Sequence, residues 1–533
     1  MNRRQFLSTA AGAAAAAGAM AAGLPGAARA QAAMPKRGGT LRFATRVDGA
    51  GLDSHRSLVY YVSDPRTGMT QGLLDLNRRM EIVPGIATEW DISKDLKRYT
   101  FRLRQGAEYH NGADVDAESV KWNYERILDP KIGFAFTRAS LLDVERMETD
   151  GKHIIHIHLR NPSAVFLANV VFYPVNLMAP NSVDQVDTAP VGCGPFKFVS
   201  WKRYAKTELV RFENYFETGA DGKPLPYLDA IEGYPKREDK VRLTSLLTGE
   251  VDLIENMAYS DVANFRRDHA DQYDIWPIAQ VGGSHLNINA KSGPFAMDAP
   301  DGKLLRQAVA HAIDKQAIHE AIFDGLGEPL NQFYSSESPW HLPDVQNEKE
   351  YDPEKSRSIL RKLNMQNMPI AVVARDAFQY MRNTGEIIHS MLLDAGFSAT
   401  NEVFDNPLLR EKYRKNDWGI DSTATSYRFE PDGWYSRWIH SRGDEGELRL
   451  GFKNERCDKL IEEARVTLDT NLRKEMYTEV DGIVNDEAAL LYCYAVPLTS
   501  AGVKRLKGYQ PAIGGPHSWS GGGIRTAYFD DEA

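Results

Sequence analysis

The chain has 533 residues, 42% of them apolar and 26% charged, and a formal net charge of −9. These proportions suit a soluble globular protein with room for several domains and a large core. The acidic balance argues against nucleic acid or an anionic membrane as partner.

Residues 1–30 read as a targeting segment outside the fold. Arg3-Arg4 precede Gln5-Phe6-Leu7 and an Ala-rich, weakly apolar run, and Ala28-Arg29-Ala30 fits a small-x-small cleavage site. The expectation is twin-arginine export to the periplasm with cleavage near Ala30. The segment holds three Arg and no acid, so its removal leaves a mature chain near −12. The run is broken by Gly and Pro25 and falls short of the ~20 residues that a membrane span needs.

Residues 39–45 alternate Leu41 and Phe43 inward and predict a first strand. Val59-Tyr60-Tyr61-Val62 is either a cleft wall or a core patch. Residues 99–104 alternate as a half-buried strand, Gln105-Gly106 and Asn111-Gly112 signal turns, and Asp116 caps a helix with Val120, Tyr124 and Ile127 on one face. His156 and His158 share one face of the strand at 153–160, a spacing that also occurs in metal sites; no carboxylate or Cys nearby completes a set. Gly192-Cys193-Gly194-Pro195 reads as a fixed turn, followed by a hairpin over 198–212. Leu305, Val309, Ala312, Ile313, Ala317 and Ile322 predict one helix over 303–325. Further helices are expected near 351, over 383–396, 455–468 and 471–487, and a short buried strand over 490–494.

The ordered strings Pro84-Gly85-Ile86-Ala87-Thr88-Glu89-Trp90, Tyr99-Thr100-Phe101-Arg102-Leu103-Arg104, Tyr109-His110-Asn111-Gly112 and Ala117-Glu118-Ser119-Val120 resemble a known signature. It is that of the family 5 extracytoplasmic solute-binding proteins of the peptide/nickel/opine type, capture subunits of bacterial ABC importers. Tyr109, Asn111 and Ser119 stand where the family has Phe, Asp and Asp. Leu305-Arg306-Gln307-Ala308 through Ala312-Ile313-Asp314-Lys315 resembles a second family string, residues 243–252 resemble the family's helix, turn and strand, and residues 286–289 resemble the short strand by which its chains leave the first lobe.

The resemblance implies an α/β, two-lobed periplasmic-binding-protein fold (type II, Venus-flytrap) with an extra α+β subdomain. It assigns 36–75, 190–284 and 500–533 to lobe I, 76–189 to the extra domain II and 285–499 to lobe III. It implies a periplasmic component of an ABC importer that closes on a peptide or peptide-like solute and passes it to permease subunits. An opine, a sugar or a metal chelate is the alternative solute, and a sensory binding protein or, less favoured, a periplasmic hydrolase is the alternative role. The implied substrate-binding residues are Tyr60, His285, Asn287, Tyr427, Arg428, Trp434 and Trp438, the last four in the string Ser426 to Trp438. Aromatic faces there suit stacking and Arg428 an anionic group. Peptide-binding members carry an Asp where this chain has Tyr427, so an α-ammonium needs another acid. His-Glu-x-x-His, Gly-x-Ser-x-Gly and the P-loop string are absent, so no catalytic residue, metal or cofactor is expected. Cys193, Cys457 and Cys493 lie far apart, and no spacing requires a disulfide. A monomer without nucleic acid is expected.

Overall fold

The computed structural model describes residues 34–49, 51–56, 65–171, 173–346, 349–512 and 521–530. The expected export segment and Tyr60 lie outside the described residues.

The strands that organise the chain are, in order, β1 (Thr40–Thr45), β2 (Ala87–Ile92), β3 (Arg98–Leu103), β4 (Val144–Thr149), β5 (Ile154–Leu159), β6 (Phe196–Lys202) and β7 (Lys206–Arg211). They continue with β8 (Ala230–Pro235), β9 (Leu253–Ile254), β10 (Tyr273–Ile288), β11 (Pro369–Arg375), β12 (Ser398–Phe404), β13 (Ile420–Ser426) and β14 (Leu490–Val503). The large sheet runs β12-β11-β13-β10-β14-β9-β1-β8-β7-β6. A second, antiparallel sheet runs β2-β3-β5-β4.

The long strands β10 and β14 hold the large sheet together. They pair antiparallel from Tyr273↔Val503 to Asn287↔Leu490, with a register break between Ile278 and Gly282. Sixteen residues of strand span roughly 50 Å, enough to run through both halves of the molecule. The expected short strands at 286–289 and 490–494 are only the far ends of these elements. Periodicity did not reveal them, because Pro277, Gly282, Gly283 and Pro497 interrupt it and burial on both faces removes the alternation.

The register fixes a direction. β9 runs parallel to β1 and lies against β14 with Leu253↔Gly502 and Ile254↔Ala501, so its carboxyl end heads toward the register break. β13 lies against β10 from Ile420↔Ile288 to Ser426↔Gly282, so its carboxyl end heads toward the same break from the other side. β11 is parallel to β13 and β12. The parallel strands of both halves therefore aim their carboxyl ends at one middle zone.

The second sheet has its own core. Tyr99, Phe101, Ile155 and Ile157 pack against Val120, Tyr124 and Ile127 of the helix Ala117–Leu128. Asp116 caps that helix, and Asp116 and Ser119 close a reciprocal capping box. His110 anchors the segment to the turn at Cys193. Its main-chain N–H donates to Gly192 O at 2.9 Å, and Nε2–H donates to Gly194 O at 2.9 Å. Burial lowers its pKa to about 4, so the ring is neutral. A Cβ on Gly192 or Gly194 would stand 2.0 Å from Met69 O or 2.4 Å from Gly68 O, which is why glycine flanks Cys193.

The helix expected over 303–325 is two helices, Gly302–Ala312 and Lys315–Phe323. Ile313 is extended (φ −105°, ψ 114°), and Asp314 restarts the chain by accepting from Ala317 N at 2.9 Å. Arg306 is buried and bonds Glu487 and the carbonyls of Phe295 and Ala296. His156 meets Thr100 and His158 meets Glu148. Cys193, Cys457 and Cys493 are free and buried.

Candidate functional site

In open α/β sheets, ligands sit outside the carboxyl ends of the strands, where connections diverge. Here those ends bring Thr45-Arg46 and Ile254-Glu255 from one half toward Arg375 and Ser426-Tyr427 from the other. Direct contacts cross between the halves. The Arg46 guanidinium lies 4.2 Å from the Phe378 ring centroid and donates to Ala377 O at 3.3 Å. Within the first half, the main-chain N–H of Arg46 donates to Glu255 Oε1 at 3.0 Å. Tyr259 donates to Pro497 O at 2.9 Å and meets Phe323 edge-on.

The zone is rich in positive charge. Arg375 ends β11 with its Nε buried and without a hydrogen-bond partner among the described residues. Burial lowers the pKa of Arg46, and the neighbouring Arg242 lowers it further. Burial raises the pKa of the Tyr380 phenol, while Arg375 and Arg46 both oppose that rise, so the two cations act on one hydroxyl. Nearby carboxylates are already engaged. Asp239 is held by Arg242 at 2.5 Å, Asp376 by Arg382, and Glu430 by Arg473. Glu255 is fully buried and accepts the Arg46 amide.

Four of the expected site residues gather in one buried cluster beneath this zone. His285 and Asn287 are neighbours on one face of β10, and Trp434 and Trp438 lie on the helix Asp432–Trp438. The His285 ring meets Trp434 and Trp438 edge-on at 5.1 and 4.7 Å. Trp434 stacks on Phe333 at 4.2 Å and lies near-parallel to Trp438 at 5.4 Å. The polar atoms bond one another: His285 Nδ1 meets Asn287 Oδ1 at 3.1 Å, His285 Nε2 meets Thr425 Oγ1 at 3.3 Å, and Asn287 Nδ2 donates to Asp421 Oδ2 at 2.8 Å. Burial, then Arg449, pulls the His285 pKa down to about 3, so the ring is neutral.

Asp421 anchors the cluster. Arg449 Nη2 donates to its Oδ2 at 2.6 Å and Tyr413 to its Oδ1 at 2.8 Å. Burial pushes the Asp421 pKa up, but Arg449 and the hydrogen bonds outweigh burial and hold it below the usual value. The Arg449 guanidinium also lies 4.6 Å from the Trp438 ring centroid.

Tyr427 and Arg428 lie just past the carboxyl end of β13, and Tyr427 packs in the same hydrophobic core as Trp434 and Trp438 but outside their hydrogen-bond network. Tyr427 is buried, its hydroxyl 2.8 Å from Ser338 Oγ, with its ring edge-on to Tyr334. Arg428 is half-buried, with its stem beside Gly433. Sequence reasoning missed Arg46 and Arg375. The signal for Arg375 was present: an apolar run, Ile370 to Ala374, ends abruptly in a cation. Among the described residues, no group of three His, Cys, Asp or Glu is placed to hold a metal ion.

Residues 81–446 match the family described as bacterial extracellular solute-binding proteins, family 5 (middle). Over 467 residues the chain is 25% identical to di/tripeptide-binding protein 2 of Pseudomonas aeruginosa (strain UCBPP-PA14), covering 80% of this chain and 84% of that protein. Among solved structures, the PBP AgaA in complex with agropinic acid, from A. tumefacien R10, is 24% identical with a TM-score of 0.74, covering 93% of this chain and 99% of that one. The ABC transporter-associated periplasmic binding protein DppA from Helicobacter pylori, in complex with the peptide STSA, is 20% identical with a TM-score of 0.76 and the same coverage. At these identities the structural likeness speaks for the fold.

Proposed function

Because the chain belongs to the bacterial extracellular solute-binding proteins of family 5, we propose that it captures a peptide or peptide-like solute between its two halves and delivers it to an ABC permease. The reading rests most on Arg375, a guanidinium at a strand carboxyl end whose Nε is buried without a hydrogen-bond partner among the described residues. A solute carboxylate supplies the missing acceptor and offsets the desolvated charge. Di- and tripeptides and the peptide STSA, named with the relatives, carry such a carboxylate, and agropinic acid is an acid.

Closure follows from the same geometry. A solute held from both sides stabilises only the closed arrangement, and bending at the register break between Ile278 and Gly282 separates the halves. In this reading 36–75, 190–284 and 500–533 move as lobe I, 285–499 as lobe III, and 76–189 rides as domain II. Tyr427 and Arg428 line the cleft. His285, Asn287, Trp434 and Trp438 brace its floor, since their polar atoms already bond within the protein. The protein is exported by the twin-arginine segment, cleaved near Ala30, and works in the periplasm as a monomer without catalysis.

One observation favours a second solute class. Asp239, Asp376, Glu430 and Glu255 all have partners already, which suits an acidic solute without a free ammonium, such as an opine. Native mass spectrometry of protein purified from its export compartment, followed by denaturation, identifies what co-purifies. A carboxylate-bearing small molecule bound one to one is expected. An empty protein whose melting temperature no peptide or opine shifts would overturn the reading.

A further inference from the structure

We propose that Arg46 forms a second anion subsite facing Arg375, so that the solute class is a small molecule with two anionic groups. The inference rests on the reading of the cleft given above and narrows it.

Arg46 directly follows β1, and Arg375 ends β11 in the opposite half. Their charges converge on the Tyr380 phenol, which feels both. Of the five guanidinium donors of Arg46, one has a described partner, the carbonyl of Ala377. The Phe378 ring covers a face of the guanidinium, a contact that leaves the edge donors available. The group is half-buried, yet no carboxylate among the described residues forms an ion pair with it. Asp239 is turned to Arg242, Asp376 to Arg382, and Glu255 to the Arg46 main chain rather than to its guanidinium. Arg242, which also acts on the Arg46 charge, is fully occupied: its bonds go to Asp239 and to the carbonyls of Lys236, Arg237, Glu255 and Asn256. Asp239 stabilises the Arg46 charge from nearby but gives its hydrogen bond to Arg242, so a half-buried guanidinium with no ion pair among the described residues gains from an anion on the ligand. One anionic group cannot offset two guanidiniums, and two groups on one solute can. They also tie the halves together, because each cation belongs to a different half.

The test uses two probes of matched shape, N-acetyl-alanyl-glutamate with two carboxylates and N-acetyl-alanyl-glutamine with one. Binding to the full mature chain is measured by calorimetry, with Arg46→Gln and Arg46→Lys alongside. The wild type is expected to prefer the glutamate probe by about 30-fold, the size of one charge-assisted contact. Arg46→Gln should remove that preference with little change in affinity for the glutamine probe, and Arg46→Lys should restore part of it. Equal affinity of the wild type for both probes overturns the two-anion inference and leaves the solute-capture reading standing. A preference that survives in Arg46→Gln overturns the assignment to Arg46. Failure of both probes to bind overturns the inference and the peptide-like solute together. The wild-type comparison stands even if a variant fails to fold.

Discussion

The indole N–H of Trp434 donates to the Tyr492 hydroxyl at 3.3 Å, and that hydroxyl donates in turn to Asp481 Oδ1 at 2.7 Å. Tyr435 donates to the other carboxylate oxygen at 2.8 Å. The buried aromatic cluster around Trp434 is thus wired to a fully buried carboxylate on the helix Thr470–Glu487.

Asp481 makes stability fall as pH rises. Burial lifts its pKa from 3.8 to about 7, and the two tyrosine bonds only partly oppose that. Between these values the folded chain binds a proton that the unfolded chain has released. The contribution is therefore fully present below about pH 4 and lost as pH climbs through 7. A shift near three units corresponds to about 4 kcal/mol at most. Urea unfolding of wild type and Asp481→Asn at pH 5, 6 and 7.5 checks this. The wild type is expected to lose stability relative to the variant across that range. Parallel pH profiles would show that Asp481 stays ionised when folded.

Trp434 carries stability. It is 0% exposed, stacked on Phe333 and flanked by His285 and Trp438. Trp434→Ala should cost about 3–5 kcal/mol of apo stability, as expected for emptying a large aromatic site. Trp434→Phe should cost less, keeping the stack while removing the bond to Tyr492. Chemical denaturation without solute reads both. An unaffected apo protein would place the indole on the cleft wall instead.

Local chemistry made the second sheet and its helix legible. Residues 99–104 alternate cleanly because one face packs on Tyr124 and Ile127, and Asp116 and Ser119 announce the helix start. The long crossing strands stayed hidden because Gly and Pro interrupt them and neighbours cover both faces. The break at Ile313 was masked because apolar spacing resumes in register after it; only Asp314, a good cap, marked it. For the candidate site, the string around Trp434 did not reveal the depth of its rings, which lie buried. Arg46 and Arg375 lie 329 positions apart, and nothing short of the sheet topology brings the two strand ends together.

The Asp421–Arg449 pair is a buried ion pair whose value depends on staying intact. Both side chains are nearly inaccessible, and Asn287 and Tyr413 complete the shell around the carboxylate. Asp421→Asn should destabilise the protein by about 3–5 kcal/mol, because it leaves Arg449 buried without a full counter-charge. The double variant Asp421→Asn with Arg449→Met should cost less than the two single changes together, with coupling of at least about 1 kcal/mol. A double-mutant cycle by urea unfolding measures the coupling. Additive losses would mean that solvent reaches the pair.

Arg375 separates binding from stability. Its Nε has no hydrogen-bond partner among the described residues, so Arg375→Met removes no described hydrogen bond and relieves a partly desolvated charge. Apo stability should stay within about 0.5 kcal/mol of wild type or rise slightly. Affinity for the co-purifying carboxylate solute should fall by about 30-fold or more, since charge-assisted bonds lost on binding are worth at least about 2 kcal/mol. Calorimetry on the solute-free protein gives the affinity, and thermal unfolding gives the stability. Unchanged affinity would mean that the solute's anion sits elsewhere. A large loss of apo stability would mean that the guanidinium already has a structural partner. Weak binding on an intact fold is the combination that a guanidinium kept for the solute requires.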